Sequence, residues 1–259
     1  MRRPKIALPV SQHFNAVFPG LKDVVDILVV RNIARLAEMD AHVLPKVYHT
    51  NGLINLQFAE EMNEQSLKAI GRHDIGYMSF DLGPSCLDIK LNPDENDCFW
   101  PNHLSPTLSR EDIMKAASQR LAKIRKAFAG EISLENLDYH KGGAYEHVCE
   151  AEFISDALRS LGCGLALDIG HLSVTCFSFG IDPFEYIAKL PLELLREIHL
   201  SHAQGDFDMH AAPTEYEYGI LSFLLARSAP EFIVIEYYEQ PEAIIKENKR
   251  LFDFLNRNN

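Results

Sequence analysis

Eight short apolar runs, most of them separated by a segment of helical periodicity, confine this chain to a small set of folds. They are Lys5–Leu8, Val25–Val30, Lys46–Thr50, Ile75–Phe80, Glu131–Asn136, Gly164–Asp168, Arg196–Leu200 and Phe232–Glu236. Most are continuously apolar and do not alternate, which is how strands covered on both faces read. Eight such strands with intervening helices predict an α/β fold, a closed (β/α)8 TIM barrel. A length of 259 residues suits a single barrel domain over 1–259. Hydrophobic residues at 47% and charged ones at 24% supply one large core.

Helix signals appear between the runs. Ser109 is a good N-cap with Glu111 and Asp112 in the first turn, and Ile113, Ala117, Leu121, Ile124 and Phe128 make one apolar face. Arg120, Lys123 and Lys126 lie on the opposite, solvated face. Asp182-Pro183 and Gln240-Pro241 start two further helices. One connection is long: the Pro-rich stretch 81–109 reads as a loop excursion after the fourth strand. Loops at that end of barrel strands build active sites, so a substrate lid is expected there.

Net charge is −12, which repels a polyphosphate partner and argues against nucleic acid. Five cysteines without a CxxC pair read as reduced thiols, and the apolar run Ile6–Val10, broken by Pro9, is too short for a signal peptide. The expectation is a cytoplasmic protein without a membrane span.

The ends of strands three to eight carry the chemistry. In order they present His49, Asp81, Glu135, Asp168 with His171, then His199 followed by His202, Asp208 and His210, and finally Glu236. Each alone has a plainer explanation: His49 or His202 as an ordinary hydrogen-bonded histidine, Asp81 as a turn cap. Together they form one set, because charge at the end of a buried strand is costly unless paired or metal-bound. Carboxylates and imidazoles suit iron, zinc or manganese. The metal-ligand candidates are His49, Asp81, Glu135, Asp168, His171, His199, Asp208, His210 and Glu236, more than one ion can use, so two or three ions are expected. Glu135 and Glu236 are the catalytic candidates. His13, His42, His73, His103, His140 and His147 follow no strand-like run and read as structural or surface groups.

This order of residues resembles the xylose-isomerase-like barrel superfamily over nearly the whole chain. Within it, Leu134-Glu-Asn136, Glu152-Phe153, Gly162-Cys-Gly-Leu-Ala-Leu-Asp168, Asp182-Pro183 with Tyr186, Glu197-Ile-His-Leu200 and His49-Thr-Asn-Gly resemble the multinuclear non-heme iron-dependent oxidative enzymes. That resemblance implies that Glu135 bridges two metals. Asp168, His199 and Glu236 would hold one ion, His49 with Asp81 a second, and His171, Asp208 and His210 a third. Asp81 stands where the family usually has His, and His171 where it usually has Asn.

The implied activity is oxidation of a peptide, above all at cysteine, or of a small thiol, by an iron cluster with dioxygen as co-substrate. For some members the resemblance also implies a partner protein that delivers the substrate. The alternative is a redox-neutral enzyme of the same superfamily. A sugar isomerase or epimerase would use Glu135, Asp168, His199 and Glu236 around one ion, with the two glutamates shuttling a proton. A zinc apurinic endonuclease would need a basic groove that the acidic chain does not offer.

Overall fold

The computed structural model describes residues 3–54, 64–92, 98–101 and 105–257. Eight parallel strands close on themselves: β1 (Lys5–Pro9), β2 (Ile27–Val30), β3 (Lys46–Leu53), β4 (Tyr77–Asp81), β7 (Glu131–Glu135), β8 (Gly164–Asp168), β9 (Leu195–Leu200) and β12 (Phe232–Ile235). Closure is made by β1, which pairs with β12 on one side and β2 on the other. Runs such as Ile27-Leu-Val-Val30 and Phe232-Ile-Val-Ile235 are buried at every position, as the continuous apolar pattern requires.

Two small antiparallel hairpins decorate the barrel: β5 (Ile89–Asn92) with β6 (Cys98–Pro101), and β10 (His202–Gln204) with β11 (Phe207–Ala211). The first lies inside the stretch expected to be a loop, of which 93–97 and 102–104 are outside the described residues. The second holds Asp208 and His210, also expected in a loop. Its strands are too short and too polar to show a period of two, and its turn relies on Gly205 at φ +65°.

Strand two starts at Ile27, later than the apolar pattern from Val25 suggested, because the Asp26 carboxylate accepts the Ile6 backbone N–H at 2.9 Å and pairs with Arg3. Strand three runs past Thr50 to Leu53, with an irregular register against β4 between His49 and Leu53.

Outside the sheet lie α1 (Phe14–Val17), α2 (Leu36–Met39), α3 (Glu64–Gly71), α4 (Arg110–Ala127), α5 (Ala151–Leu161), α6 (Ile169–Phe179), α7 (Pro183–Ile187), α8 (Glu215–Leu225) and α9 (Pro241–Arg257). The α4 helix is capped by Ser109 and buries Ile113, Ala117, Leu121 and Ile124, one stripe facing the barrel. Glycines at φ +62° and +65°, Gly162 and Gly180, end α5 and α6. Asp182 caps α7, and Thr214 with Glu217 forms a capping box on α8. No helix among the described residues is long and apolar enough to cross a membrane.

The barrel lumen changes character along its axis. One end is packed by Ala7, Ile27, Val29, Val47, Tyr77, Phe232 and Val234. Towards the C-terminal strand ends, buried polar groups replace them, among them His49, Ser79, Ser133, Glu197 and His199.

Candidate metal centre

Neighbouring strands bring the acids and imidazoles into register. Asp81 is paired with Glu135 across β4 and β7, and Asp168 with His199 across β8 and β9. Strand β3 adds His49 and the residue after β12 adds Glu236. His49, Glu135, Asp168, His199, Asp208 and Glu236 are buried, and Asp81, His171 and His210 half-buried.

Asp168 does two jobs because it both ends a strand and starts a helix. Its Oδ1 accepts the His171 N–H at 2.8 Å, capping α6 and fixing His171 above the strand end. Asn136 locks the same corner, since its side chain accepts the Asp168 N–H at 2.9 Å and donates to the Asp168 carbonyl at 3.1 Å. The hairpin β10–β11 then turns Asp208 and His210 inwards. His210 takes φ +42°, a left-handed conformation that is strained for a residue with a side chain. Its Nδ1 lies 3.1 Å from Asp208 Oδ2 and its Nε2 3.4 Å from Glu236 Oε2.

The nine groups fall into overlapping sets. Within each of His49/Asp81/Glu135, Glu135/Asp168/His199 and His171/Asp208/His210, one ligand atom per residue lies within 4.8 Å of the others. Glu135 belongs to two sets: its Oε1 is 3.1 Å from His199 Nδ1 and 3.5 Å from His171 Nδ1, and its Oε2 is 3.6 Å from His49 Nε2. Glu236 joins the second set, its Oε1 3.3 Å from His199 Nδ1.

The electrostatics are those of crowded carboxylates. Burial, and then the adjacent Glu135, push Asp81 up to about 8. Asp168 moves the other way: burial opposes its charge, but His171 and His199 hold it below the usual carboxylate range. Burial also disfavours charged His171 and His199, yet the acids win and raise both, Asp168 and Asp208 acting on the first and Glu135 and Glu197 on the second. Burial, with Arg31 and the other imidazoles, lowers His49.

A cation fits this set. Glu135 Oε2 and Asp168 Oδ2 are buried oxygens with no hydrogen-bond donor, an arrangement that costs about 1–3 kcal/mol per group unless something positive faces them. His171 donates Nδ1–H to the Asn136 carbonyl at 2.8 Å, so its Nε2 turns towards Asp208 Oδ2 at 3.4 Å. A lone pair facing a carboxylate calls for either a proton or a metal between them. All the donors are oxygen or imidazole nitrogen, the set suited to iron, manganese or zinc.

Five of the remaining histidines are engaged elsewhere. His202 bonds Glu217 at 2.8 Å, His73 bonds Asp40, His140 bonds Asp138, His147 bonds Glu150, and His42 packs on Phe14 and Phe18. His103 is outside the described residues. Cys86, Cys149, Cys163 and Cys176 are free and buried, and none is in a ligand set. Three residues at the centre escaped the sequence reading. Arg31, just past β2, forms an ion pair with Glu236. Asn136, an uncharged residue with no ligand chemistry to mark it in the sequence, holds the Asp168 backbone. Glu197 hydrogen-bonds His199, and its spacing of two from that histidine placed both on the lumen side of β9.

The family described as RiPP precursor modification enzyme MbnB/TglH/ChrH matches residues 95–247, more than half of the chain. The chain belongs to this family. Relatives of the family member include a UPF0276 protein of Acaryochloris marina, 28% identical over 118 residues, 44% of this chain and 43% of its own. A UPF0276 protein of Bordetella pertussis is 28% identical over 163 residues, 59% of this chain and 56% of its own. The chain thus spans about half the length of the curated relatives it matches. Among solved structures it is similar to the 3-keto-D-glucoside 4-epimerase YcjR from E. coli, with TM-score 0.64, 12% identity, and 97% and 99% of the two chains covered. A D-tagatose 3-epimerase-like protein gives TM-score 0.60 at 14% identity over 98% and 97%. These two carry the fold, the xylose-isomerase-like barrel.

Proposed function

We propose that this family member is a metal-dependent enzyme that oxidises a ribosomally made precursor peptide, at cysteine, using two or three iron ions and dioxygen. What supports the reading is the convergence of His49, Asp81, Glu135, Asp168, His171, His199, Asp208 and His210 into three ligand sets, two of them sharing Glu135, with Glu236 beside His199, in a chain whose family acts on RiPP precursors. Iron bound there would supply redox equivalents and open positions for a thiolate and dioxygen.

The protein's own groups do the rest. Glu135 offers one oxygen to each of two sets and so would be a shared ligand for cations held there. Asp168 fixes His171 through the helix cap while its second oxygen faces His199. Tyr238 Oη is buried without a hydrogen-bond partner beside the Arg31 guanidinium, so both can donate to a peptide entering the mouth. Asp81, pushed up to about 8 by burial and Glu135, would lose its proton on binding a cation.

The redox-neutral alternative draws on the epimerase fold and on Glu135 and Glu236, which both approach His199 Nδ1. One experiment separates the two. The protein is reconstituted anaerobically with Fe(II), its metal content measured, and dioxygen uptake followed with a cysteine-containing precursor peptide encoded beside it. More than one iron per chain and peptide-dependent uptake support the oxidative reading. A single ion, or zinc alone, with no uptake overturns it.

A further inference from the structure

Directly beneath the three ligand sets lies a further carboxylate, Glu197, which with His49 and His199 forms a fourth group of ligand atoms within 4.8 Å of one another, but whose two oxygens are already engaged. Glu197 is fully buried in the lumen, beside Phe232 in register and near the apolar end of the barrel. An ionised acid there costs several kcal/mol unless both its oxygens are satisfied. Both are: Oε1 lies 2.8 Å from His199 Nε2, and Oε2 accepts the Tyr77 hydroxyl at 3.0 Å. The tyrosine ring is held in turn edge-on against Phe232 at 5.2 Å.

The geometry has a definite chemical consequence. A carboxylate only accepts, so His199 must donate Nε2–H to Glu197. Both ring nitrogens face carboxylates, so with Glu197 keeping the Nε2–H a cation would take the place of the proton on Nδ1. That nitrogen faces Glu135 Oε1, Glu236 Oε1 and Asp168 Oδ2 at 3.1, 3.3 and 3.7 Å. We propose that Glu197, braced by Tyr77, is a positioning residue that fixes the tautomer and ring angle of His199, so that Nδ1 is presented to a cation among Glu135, Asp168 and Glu236. The chain Tyr77 to Glu197 to His199 thus links the apolar floor of the barrel to the metal centre, and the negative charge makes the imidazole a stronger donor. The inference rests on the proposed function only in that a metal binds these residues.

Co(II) alone is the probe, titrated into metal-free wild type, Glu197→Gln and Tyr77→Phe against a competing chelator, with the visible d–d spectrum recorded. Glu197→Gln keeps the shape and removes the charge. Its Co(II) affinity should fall about 10- to 100-fold with a shifted band, because the imidazole loses its anionic partner. Tyr77→Phe removes one hydroxyl and should shift the same band with a smaller loss, and it carries the test if Glu197→Gln does not fold. Wild-type affinity and spectrum in Glu197→Gln, or in a folded Tyr77→Phe when the first variant is lost, overturn the inference. If wild type itself binds no Co(II), it is the metal-centre reading that fails.

Discussion

Gly170 sits so close to Asp208 that a Cβ on it would lie 3.0 Å from Asp208 Oδ1 and 3.1 Å from Asp168 Oδ1, and closer still to the Ser201 hydroxyl. The first turn of α6 and the hairpin β10–β11 are therefore packed to contact around the carboxylates they carry. An alanine at this position should displace Asp208 and pull the His171/Asp208/His210 set apart. Gly170→Ala is expected to destabilise the protein by about 1–3 kcal/mol, the usual cost of overpacking. It should also lower the number of metal ions retained per chain. Urea unfolding and elemental analysis check the two effects, and a variant with wild-type stability and metal content would contradict the tight fit.

How far the sequence foretold this arrangement depends on the range of each interaction. Glu135 and Asp168 were legible because an acid that ends an apolar run has few other reasons to be there, and His171 because it stands one helical turn beyond Asp168. The barrel was legible from the same runs. Glu197 was hidden inside a strand whose end drew attention, although its parity with His199 already placed it in the lumen. Arg31 could not be read at all. Its contact with Glu236 exists only because closure through β1 brings the end of β2 near the end of β12, some two hundred residues away in sequence. The hairpin carrying Asp208 and His210 reads as a loop in the sequence because strands of three and five residues show no usable period.

The buried thiols give a pH-dependent expectation. Burial pushes Cys163 up to about 11 and Cys176 up to about 12, from an ordinary value of 9.0. Both should stay unreactive towards Ellman's reagent at pH 8 in the native protein and react on unfolding. A raised folded-state value means the associated stability is intact below pH 9 and is lost as pH rises through 9 towards 11 and 12, since unfolded thiols ionise first. Urea midpoints should therefore fall between pH 9 and pH 11, and less steeply in Cys163→Ala. Equal slopes in the two proteins would show that Cys163 does not contribute.

Arg31 supplies the positive charge that Glu236 meets when no metal is bound. Glu236 Oε1 is also one of the oxygens nearest His199 Nδ1, so a cation held there and the guanidinium compete for the same atom. Removing the guanidinium leaves a buried carboxylate with less compensation. Arg31→Gln should therefore cost the metal-free protein about 1–3 kcal/mol, reduced from the full buried-pair penalty because the arginine is partly exposed. With saturating Co(II) the difference between variant and wild type should shrink, because the metal then takes over the role of the lost cation. Urea unfolding of both proteins with and without Co(II) measures the four values needed. An energy gap that Co(II) leaves unchanged would mean that Glu236 faces arginine and never a metal.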